Sequence, residues 1–277
     1  MVQKSSNTLS RRMRAYRIAY DGQPYYGFQR QPDVATVEGE LVGALDRLGV
    51  TDGEVPAGYA GAGRTDAGVS ALAQTVAFEA PDWLSPAAFN SELPAEIRAW
   101  ASTDVPSDFH ATHDAHQRTY CYHLYAPAAD DDLAREAARA LSGDHDFHNL
   151  TPDERGTVRD LSVEVCRDDA FLVCVLRADG FCRQLVRRVV GLVGEIAGGD
   201  RPLAKIDRVF DDAPLDGPEG VAPAPPAPLV LTAVDYDVSF TIDADARASA
   251  RAVFAKRYAK RLASARVART VRDGFEQ

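Results

Sequence analysis

The chain has no long apolar run, few lysines and no paired cysteine motif. Nowhere among its 277 residues is there a stretch near the roughly 20 apolar residues that cross a bilayer, so we expect no membrane span. The segment from Met1 to Arg14 is polar and basic and does not match a secretory signal, which predicts a cytoplasmic protein. The four cysteines show no C-x-x-C spacing, which predicts free thiols, mostly buried.

Motifs for bound cofactors and metals are also missing. The sequence contains no G-x-x-x-x-G-K-[ST] loop and no G-x-G-x-x-G that opens a helix after a strand, so no nucleotide cofactor is expected. His110, His113 and His116 have a metal-like spacing, but no helical pattern places them on one face. We therefore predict no metal site.

The charge is strongly one-sided. A net charge of -10 opposes general attraction to a nucleic-acid backbone. The acidic excess is largely aspartate, and arginine supplies nearly all the positive charge, since lysine occurs only at positions 4, 205, 256 and 260. This halophilic composition is typical of adaptation to high salt. A local arginine surface combined with aromatic stacking is still compatible with RNA binding.

Hydrophobic periodicity predicts the element order β-α-β-β-α-β twice along the chain. In the first half, Thr36 is placed to cap one helix, and Ser85 caps a second helix with Pro86 at its first position. The predicted elements of this half are a strand at Arg14–Gly22, a helix over Val37–Leu48, strands at Glu54–Ala60 and Leu72–Glu79, a short helix ending at Pro94, and a strand at Ile97–Val105.

The second half repeats the pattern. Its predicted elements are a strand at Arg118–Ala126, a helix at Asp131–Leu141, a hairpin that turns at Asp168–Asp169, a helix from Phe181, and a strand at Leu229–Asp237. We predict an α+β fold of two ferredoxin-like halves with mainly antiparallel sheets, over residues 12–108 and 109–240. A central cleft between the halves is the expected place for a functional site.

The remaining segment, residues 241–277, is basic where the rest of the chain is acidic. It carries nine basic and four acidic residues on an alanine-rich background, which predicts a helical tail. Two interpretations stay open: a solvated helix packed on the sheet, or an appendage that contacts RNA.

Asp66 is the first candidate for chemistry. It lies in "GRTDAGV", between Gly63 and Gly68, where an aspartate is also a common turn residue. A carboxylate held ionised by a nearby cation can instead act as a nucleophile or a base. Arg183 and Arg187 are four residues apart on a predicted apolar helix and share a face, so either could supply that cation.

Aromatic side chains supply candidate stacking surfaces. Tyr120 lies in a predicted strand, where it is either a packing residue or a platform for a planar substrate. The stretch "YDGQPYYGFQRQP" places Tyr26, Phe28 and Arg30 close together among glycines. Aromatic faces with cations between them are typical of a single-strand RNA surface.

Four motifs together resemble one family. "YDGQPYYGFQRQP", "AGRTDAGVSALAQTVAF", "DFHATHDAHQRTYCYHLY" and "FCRQLVRRVVG", in this order, are similar to the tRNA pseudouridine synthase A (TruA) family, and the likeness runs from about Tyr16 to Tyr236. The resemblance implies a homodimeric isomerase without cofactor or metal. It would convert uridine to pseudouridine in the anticodon stem-loop of tRNA, at tRNA positions 38, 39 and 40.

The resemblance also implies roles for individual residues. Asp66 matches the catalytic aspartate, and Arg187 the arginine paired with it. Arg64 matches an arginine implicated in base flipping and phosphate contact, Tyr120 the tyrosine that packs on the target base, and Leu231 part of an apolar wall.

The sequence departs from the family pattern at several points. Phe28 stands where the family has a tryptophan, and Ser70 where a histidine is common; the tail receives no role from the resemblance. A non-catalytic RNA-binding protein on the same fold remains the alternative. An unrelated small-molecule enzyme with an aspartate nucleophile is the third hypothesis, and the missing cofactor motifs oppose it.

Overall fold

The structure, a computed structural model, describes residues 10–215 and 217–275. Its strands are β1 (Arg11–Tyr20), β2 (Ala60–Gly61), β3 (Ser70–Pro81), β4 (Ile97–Asp104), β5 (Gln117–Tyr125), β6 (Gly143–Asp146), β7 (Val158–Asp168), β8 (Phe171–Ala178), β9 (Leu229–Asp235) and β10 (Thr241–Ile242). Its α-helices are α1 (Val37–Arg47), α2 (Pro86–Asn90), α3 (Asp131–Ala140), α4 (Leu185–Ala197), α5 (Lys205–Phe210) and α6 (Ala244–Asp273). The predicted mixture of helices and strands is confirmed.

All ten of these strands belong to one continuous sheet. The order is β10-β4-β1-β3-β9-β5-β8-β7-β6, with β2 beside β3. Every neighbouring pair is antiparallel except β3 and β9, where Ser70 lies opposite Val230 and Ala71 opposite Leu231. The predicted mainly antiparallel pairing is confirmed, and this short parallel pair joins the strands of the two halves into one sheet. Within each half the strand order is the same: β4-β1-β3-β2 and β9-β5-β8-β7.

The helix starts follow the capping signals. The Thr36 hydroxyl accepts a hydrogen bond from the Gly39 amide at 3.2 Å, and α1 begins at Val37, directly after Thr36. Ser85 caps α2 in the same way, with Pro86 at the first position, where a missing N–H costs nothing. The short helix ends at Asn90, before the predicted end at Pro94.

Turn chemistry decides where the other predictions succeed and fail. The hairpin of β7 and β8 turns at the predicted Asp168–Asp169, and Asp169 takes a φ of +52°. The predicted strand at Glu54–Ala60 was wrong. Gly53 and Gly58 take positive φ values of +79° and +68°, which an extended strand does not tolerate, and pairing starts only at β2. β6, α5 and β10 were not predicted.

Stacked aromatic rings and the apolar face of α4 contribute to one core cluster. Tyr16 stacks on Phe78 with ring centroids 5.1 Å apart, and Phe89 of α2 meets both rings edge-on. α4 buries Leu185, Val189, Leu192, Val193 and Ile196, which recur at helical spacing. Fully burying one such side chain contributes about 1.5–3 kcal/mol. This packing fixes α4 against the sheet and holds its first turn beside the cleft described below.

The tail is one 30-residue helix, α6, as the alanine-rich composition predicted. Asp243 caps it and also accepts a hydrogen bond from the Ala87 amide of α2. Further along, Arg257 and Arg261 both pair with Asp21, at 2.7 and 2.6 Å, and Arg257 also pairs with Glu96. Asp21 is only 3% exposed, so the attachment of α6 rests on a buried carboxylate.

All four cysteines are free thiols, as predicted, but only Cys174 and Cys182 are buried. Cys166 is exposed and Cys121 is half-buried, which corrects the expectation of mostly buried thiols. Across the described ranges, no helix is both long and apolar enough to cross a membrane.

Candidate active site

The predicted central cleft is present between the two halves and has a volume of about 1260 Å³. Most of its lining comes from four segments: residues 26–29 with Gln31, residues 61–67 with Val69, residues 110, 112 and 113, and residues 180–187 around the start of α4. Its charged side chains are mostly cationic, although the whole chain is acidic. The arginines that line it are Arg64, Arg118, Arg159, Arg183 and Arg187, and the carboxylates are Asp66 and Asp153. The cleft is therefore a local basic surface suited to an anionic ligand.

The loop that carries Asp66 is tightly held. The Gly68 amide donates to the Tyr25 carbonyl at 3.2 Å, and the Phe28 amide donates to the Thr65 carbonyl at 3.0 Å. The Thr65 hydroxyl lies 2.7 Å from the phenol oxygen of Tyr20, and both groups are buried. Gly68 takes a φ of +82° where the turn closes. The backbone around Asp66 is thus fixed on both sides.

Asp66 pairs with Arg187 across the cleft, as the sequence predicted. Arg187 Nη1 donates to Asp66 Oδ2 at 2.9 Å, and Arg187 Nε donates to the Ala224 carbonyl at 2.7 Å. The carboxylate is 31% exposed and the guanidinium 14%. Among the described residues, no group binds Asp66 Oδ1. One carboxylate oxygen is therefore anchored, and the other is open to the cleft.

Arg183, the other arginine considered for this pairing, lies outside the helix. Gln184 takes a left-handed φ of +62°, so α4 begins at Leu185 rather than at the predicted Phe181. Arg183 instead faces Asp153, with its amide 2.7 Å from Asp153 Oδ2. The shared helical face expected for Arg183 and Arg187 is therefore absent.

Tyr120 lies beside the Asp66 loop on β5. Its hydroxyl is 3.9 Å from the position that a β-carbon on Gly63 would take, which is an ordinary van der Waals distance. Its ring meets Phe181 edge-on, with centroids 5.1 Å apart. Burial raises the pKa of the Tyr120 phenol to about 12; the nearby Arg118 charge opposes this shift and the Asp66 charge adds to it. The hydroxyl therefore stays protonated at neutral pH.

The remaining predicted site residues differ in whether they line the cleft. Arg64 is exposed in the cleft and has no hydrogen-bond or ion-pair partner within the described chain. Tyr26 is 62% exposed and also lines the cleft. Arg30 is exposed but lies outside the cleft lining. Leu231 is fully buried and lies opposite Tyr120 on the neighbouring strand β9, and Leu229, two residues earlier on β9, lines the cleft instead.

Phe28 does not offer a stacking surface. Its side chain is 2% exposed and packs close to Gly61, and its ring centroid is 6.4 Å from that of Tyr20. A ring buried to this extent cannot stack on a base without leaving the core. The expected RNA contact of Phe28 is thus corrected to a role in packing beneath the cleft loop.

Arg118 was missed as a site residue, although its position two residues before Tyr120 in "RTY" was a signal. It is 8% exposed, and its guanidinium donates to backbone carbonyls alone. Nε and Nη2 bind the Ala62 carbonyl at 3.0 and 2.8 Å, Nη2 binds the Thr112 carbonyl at 2.7 Å, and Nη1 binds the Asp179 carbonyl. One buried cation therefore joins three walls of the cleft.

Comparison with known proteins gives a consistent assignment. A family model described as tRNA pseudouridine synthase matches residues 137–237. The protein named tRNA pseudouridine synthase A of Haloarcula marismortui is 61% identical over 95% of this chain and 100% of the relative. Its namesake in Natronomonas pharaonis is 60% identical over 92% of this chain and 97% of the relative.

A likeness to a solved structure is more distant. A chain in the structure described as the archaeal box H/ACA sRNP Nop10-Cbf5 complex gives a TM-score of 0.37 at 13% identity, over 67% of this chain and 43% of that chain.

The arginine-lined cleft with its anchored carboxylate and the sequence relatives define a pseudouridine synthase, an isomerase. The chain belongs to the tRNA pseudouridine synthase A family.

Proposed function

We propose that this protein isomerises uridine to pseudouridine in the anticodon stem-loop of tRNA, at tRNA positions 38, 39 and 40, with Asp66 as the nucleophile. The observation that carries the proposal is the Asp66 carboxylate, anchored at one oxygen by Arg187 and open at the other, inside a basic cleft beside Tyr120. The membership in the family of tRNA-named relatives supports tRNA as the substrate class.

The reaction breaks the bond between C1′ and N1, turns the detached uracil and forms a bond between C1′ and C5. No atom is gained or lost: the proton leaves C5 and N1 takes one up. Neither redox change nor phosphoryl transfer is involved, so a positioned carboxylate in a shaped pocket meets the chemical requirement. Asp66 could attack C6 of the base or C1′ of the ribose, or remove a ribose proton.

The target base must first leave its stack, which costs a few kcal/mol. The exposed Arg64 guanidinium is suited to contact the phosphates of the opened strand, because no other group in the described chain holds it. Tyr120 supplies a buried ring edge and a protonated hydroxyl at the base site. The exposed Tyr26 ring offers a stacking face at the rim of the cleft.

The proposal also includes the domain organisation, the oligomeric state, the salt adaptation and the cellular location. The identical strand order in the two halves supports two ferredoxin-like units, over residues 12–108 and 109–240. The exposed apolar side chains Leu72 and Tyr258, which border a groove between α6 and the sheet, support a homodimer. The acidic, lysine-poor composition supports a salt-adapted protein, and a tRNA substrate supports a cytoplasmic location.

The test uses unmodified tRNA transcripts with uridine at the three positions. Purified protein is incubated with them in high-salt buffer, and pseudouridine is mapped by carbodiimide labelling and primer extension. We expect new stops with the wild-type protein and none with Asp66→Ala or Asp66→Asn, while both variants retain tRNA affinity. Asp132→Asn is the matched control, because its side chain is 96% exposed on α3.

Two results would contradict the proposal. Normal product from Asp66→Ala would remove Asp66 as the nucleophile. Wild-type protein that binds tRNA tightly but produces no stops would instead favour the non-catalytic RNA-binding hypothesis.

A further inference from the structure

The second part of α6 leaves the body of the protein. The last contacts to the body described above are those of Arg261, which donates to Asp21 and, at 2.9 Å, to Gln23. From Leu262 through Arg272 every side chain is exposed. At about 1.5 Å per residue, the helix extends roughly 18 Å beyond Arg261. We call this segment, residues 262–273, the arm.

The helix reverses the charge of the rest of the chain. α6 contains nine basic residues and two acidic ones, whereas the whole chain carries a net charge of -10. Two of the four lysines, Lys256 and Lys260, lie on it, four residues apart and so on one face. The side chains of Lys256, Lys260 and Arg266 form no ion pair or hydrogen bond with any described residue. Three cations are thus held out in solvent by an otherwise acidic protein.

Arg261 contacts a loop that also reaches the cleft. Gln23, which Arg261 contacts, belongs to the same loop as Tyr26, Gln29 and Gln31, and these three residues line the cleft. An RNA that fills the cleft and continues past this loop would therefore pass close to the helix. One loop therefore links the cationic lining of the cleft to the part of α6 that carries Lys256 and Lys260.

The composition of the arm favours RNA over a protein partner. A helix that docks on protein needs an apolar stripe at helical spacing. Leu262 ends the apolar row of Phe254 and Tyr258 along the groove, and Val267 lies five residues further on, about 140° around the helix, so this row does not continue along the arm. Most other arm side chains are alanine, serine, threonine or arginine. Such a surface suits a phosphate backbone better than an apolar face.

We propose that α6, through Lys256, Lys260 and Arg266, binds phosphates of the tRNA outside the part held in the cleft. This inference rests on the proposed function for its ligand. It assigns to the tail a contact that extends the cleft, and it predicts that a full tRNA binds more tightly than an isolated anticodon stem-loop. The gain would come from phosphate contacts and would fall steeply with salt.

The test compares two full-length triple variants that change the charge equally. Lys256→Gln/Lys260→Gln/Arg266→Gln removes the three cations of α6. Arg135→Gln/Arg139→Gln/Arg208→Gln removes three arginines of α3 and α5, which lie outside the cleft lining. Binding of full tRNA and of an anticodon stem-loop hairpin is measured over a salt series in which circular dichroism shows both variants folded.

We expect the α6 variant to bind full tRNA more weakly than the control, with the slope of log affinity against log salt reduced by about 2–3, since each phosphate contact contributes about 0.7–0.9. Binding of the hairpin should match the control. Equal tRNA affinity and slope in the two variants would overturn the proposal. A shift from dimer to monomer in sedimentation, confined to the α6 variant, would also overturn it in favour of a second copy.

This outcome is separable from the proposed function. If no pseudouridine is detected after incubation with the wild-type protein, the proposed activity fails whatever the result for α6. If pseudouridine is detected and the two triple variants bind tRNA equally, only the inference about α6 fails.

Discussion

Arg118 should be among the most sensitive positions in the cleft, and Arg118→Met tests this directly. The substitution keeps an unbranched apolar side chain of similar reach and removes every donor. Three carbonyls, those of Ala62, Thr112 and Asp179, would then lose their partner inside or at the edge of the cleft. The loop that carries Asp66 begins at Ala62.

The size of the effect follows from the burial of these carbonyls. The contacts to the Ala62 carbonyl are buried, and an unpaired buried acceptor costs about 1–3 kcal/mol. The other two contacts are only partly buried, so each adds about 0.5–1 kcal/mol. Removing a buried charge returns part of this cost. We expect a loss of about 2–4 kcal/mol in the free energy of unfolding.

For a chain of this size each kcal/mol lowers Tm by about 2–4 °C, so Tm should fall by about 5–15 °C. Thermal unfolding followed by circular dichroism in high-salt buffer measures it. Arg135→Met is the control, because its ion pairs on α3 are exposed and should be worth under about 1 kcal/mol. The Tm of Arg118→Lys should lie between those of Arg118→Met and Arg135→Met, since lysine keeps the positive charge but lacks the planar set of guanidinium donors. A Tm for Arg118→Met within about 2 °C of wild type would refute the reasoning.

Two predictions concern pH. Burial raises the pKa of Tyr120 to about 12, so the contribution of its phenol to stability is complete below pH 10 and is lost as pH rises through about 12. Tyr120→Phe should therefore flatten the fall in the free energy of unfolding, measured with urea, between about pH 10 and 12. An unchanged slope would contradict this prediction. For Asp21, burial alone would raise the pKa, but hydrogen bonds from Arg261 and the Gln23 backbone and the charge of Arg257 lower it below the usual range. Its contribution is present above the ordinary carboxyl pKa and is lost as pH falls through the lowered value, so acid or Asp21→Asn should lower the protection of α6 amides, measured as exchange relative to the intrinsic rate at the same pH. Unchanged protection would show that the helix is held by other contacts.

Local signals were enough to predict most elements of the fold. Thr36 and Ser85 cap the helices they were expected to cap because a hydroxyl at the first free amides needs only a few neighbouring residues. The turn at Asp168–Asp169 is likewise local. The parallel contact of β3 with β9 could not be found this way, since it pairs Ser70 with Val230 and depends on how the two halves pack.

The site was predicted less evenly, for the same reason. An arginine on an apolar helix requires a partner, and this requirement left Arg183 and Arg187 as candidates for pairing with Asp66; in the structure the partner is Arg187, 121 residues away. An aromatic residue on a glycine-rich loop carries no such requirement. Phe28 and Tyr26 look alike in sequence, yet one is 2% and the other 62% exposed. Arg118 was overlooked because its partners are backbone carbonyls, so its position two residues before Tyr120 was the one sequence signal for it.

Arg118 and Arg187 together show how the cleft is assembled. The loop of Asp66 belongs to the first half of the chain, but the two cations that fix it come from the second. Moving the halves apart would break the Asp66 ion pair and the contacts to Ala62 at once, and would leave charged groups without partners. Arg64 and Tyr26, by contrast, are exposed and can move at little cost. Under the proposed function, the substrate would meet the exposed side chains at the rim of the cleft and the anchored Asp66 carboxylate inside it, an arrangement suited to positioning a base.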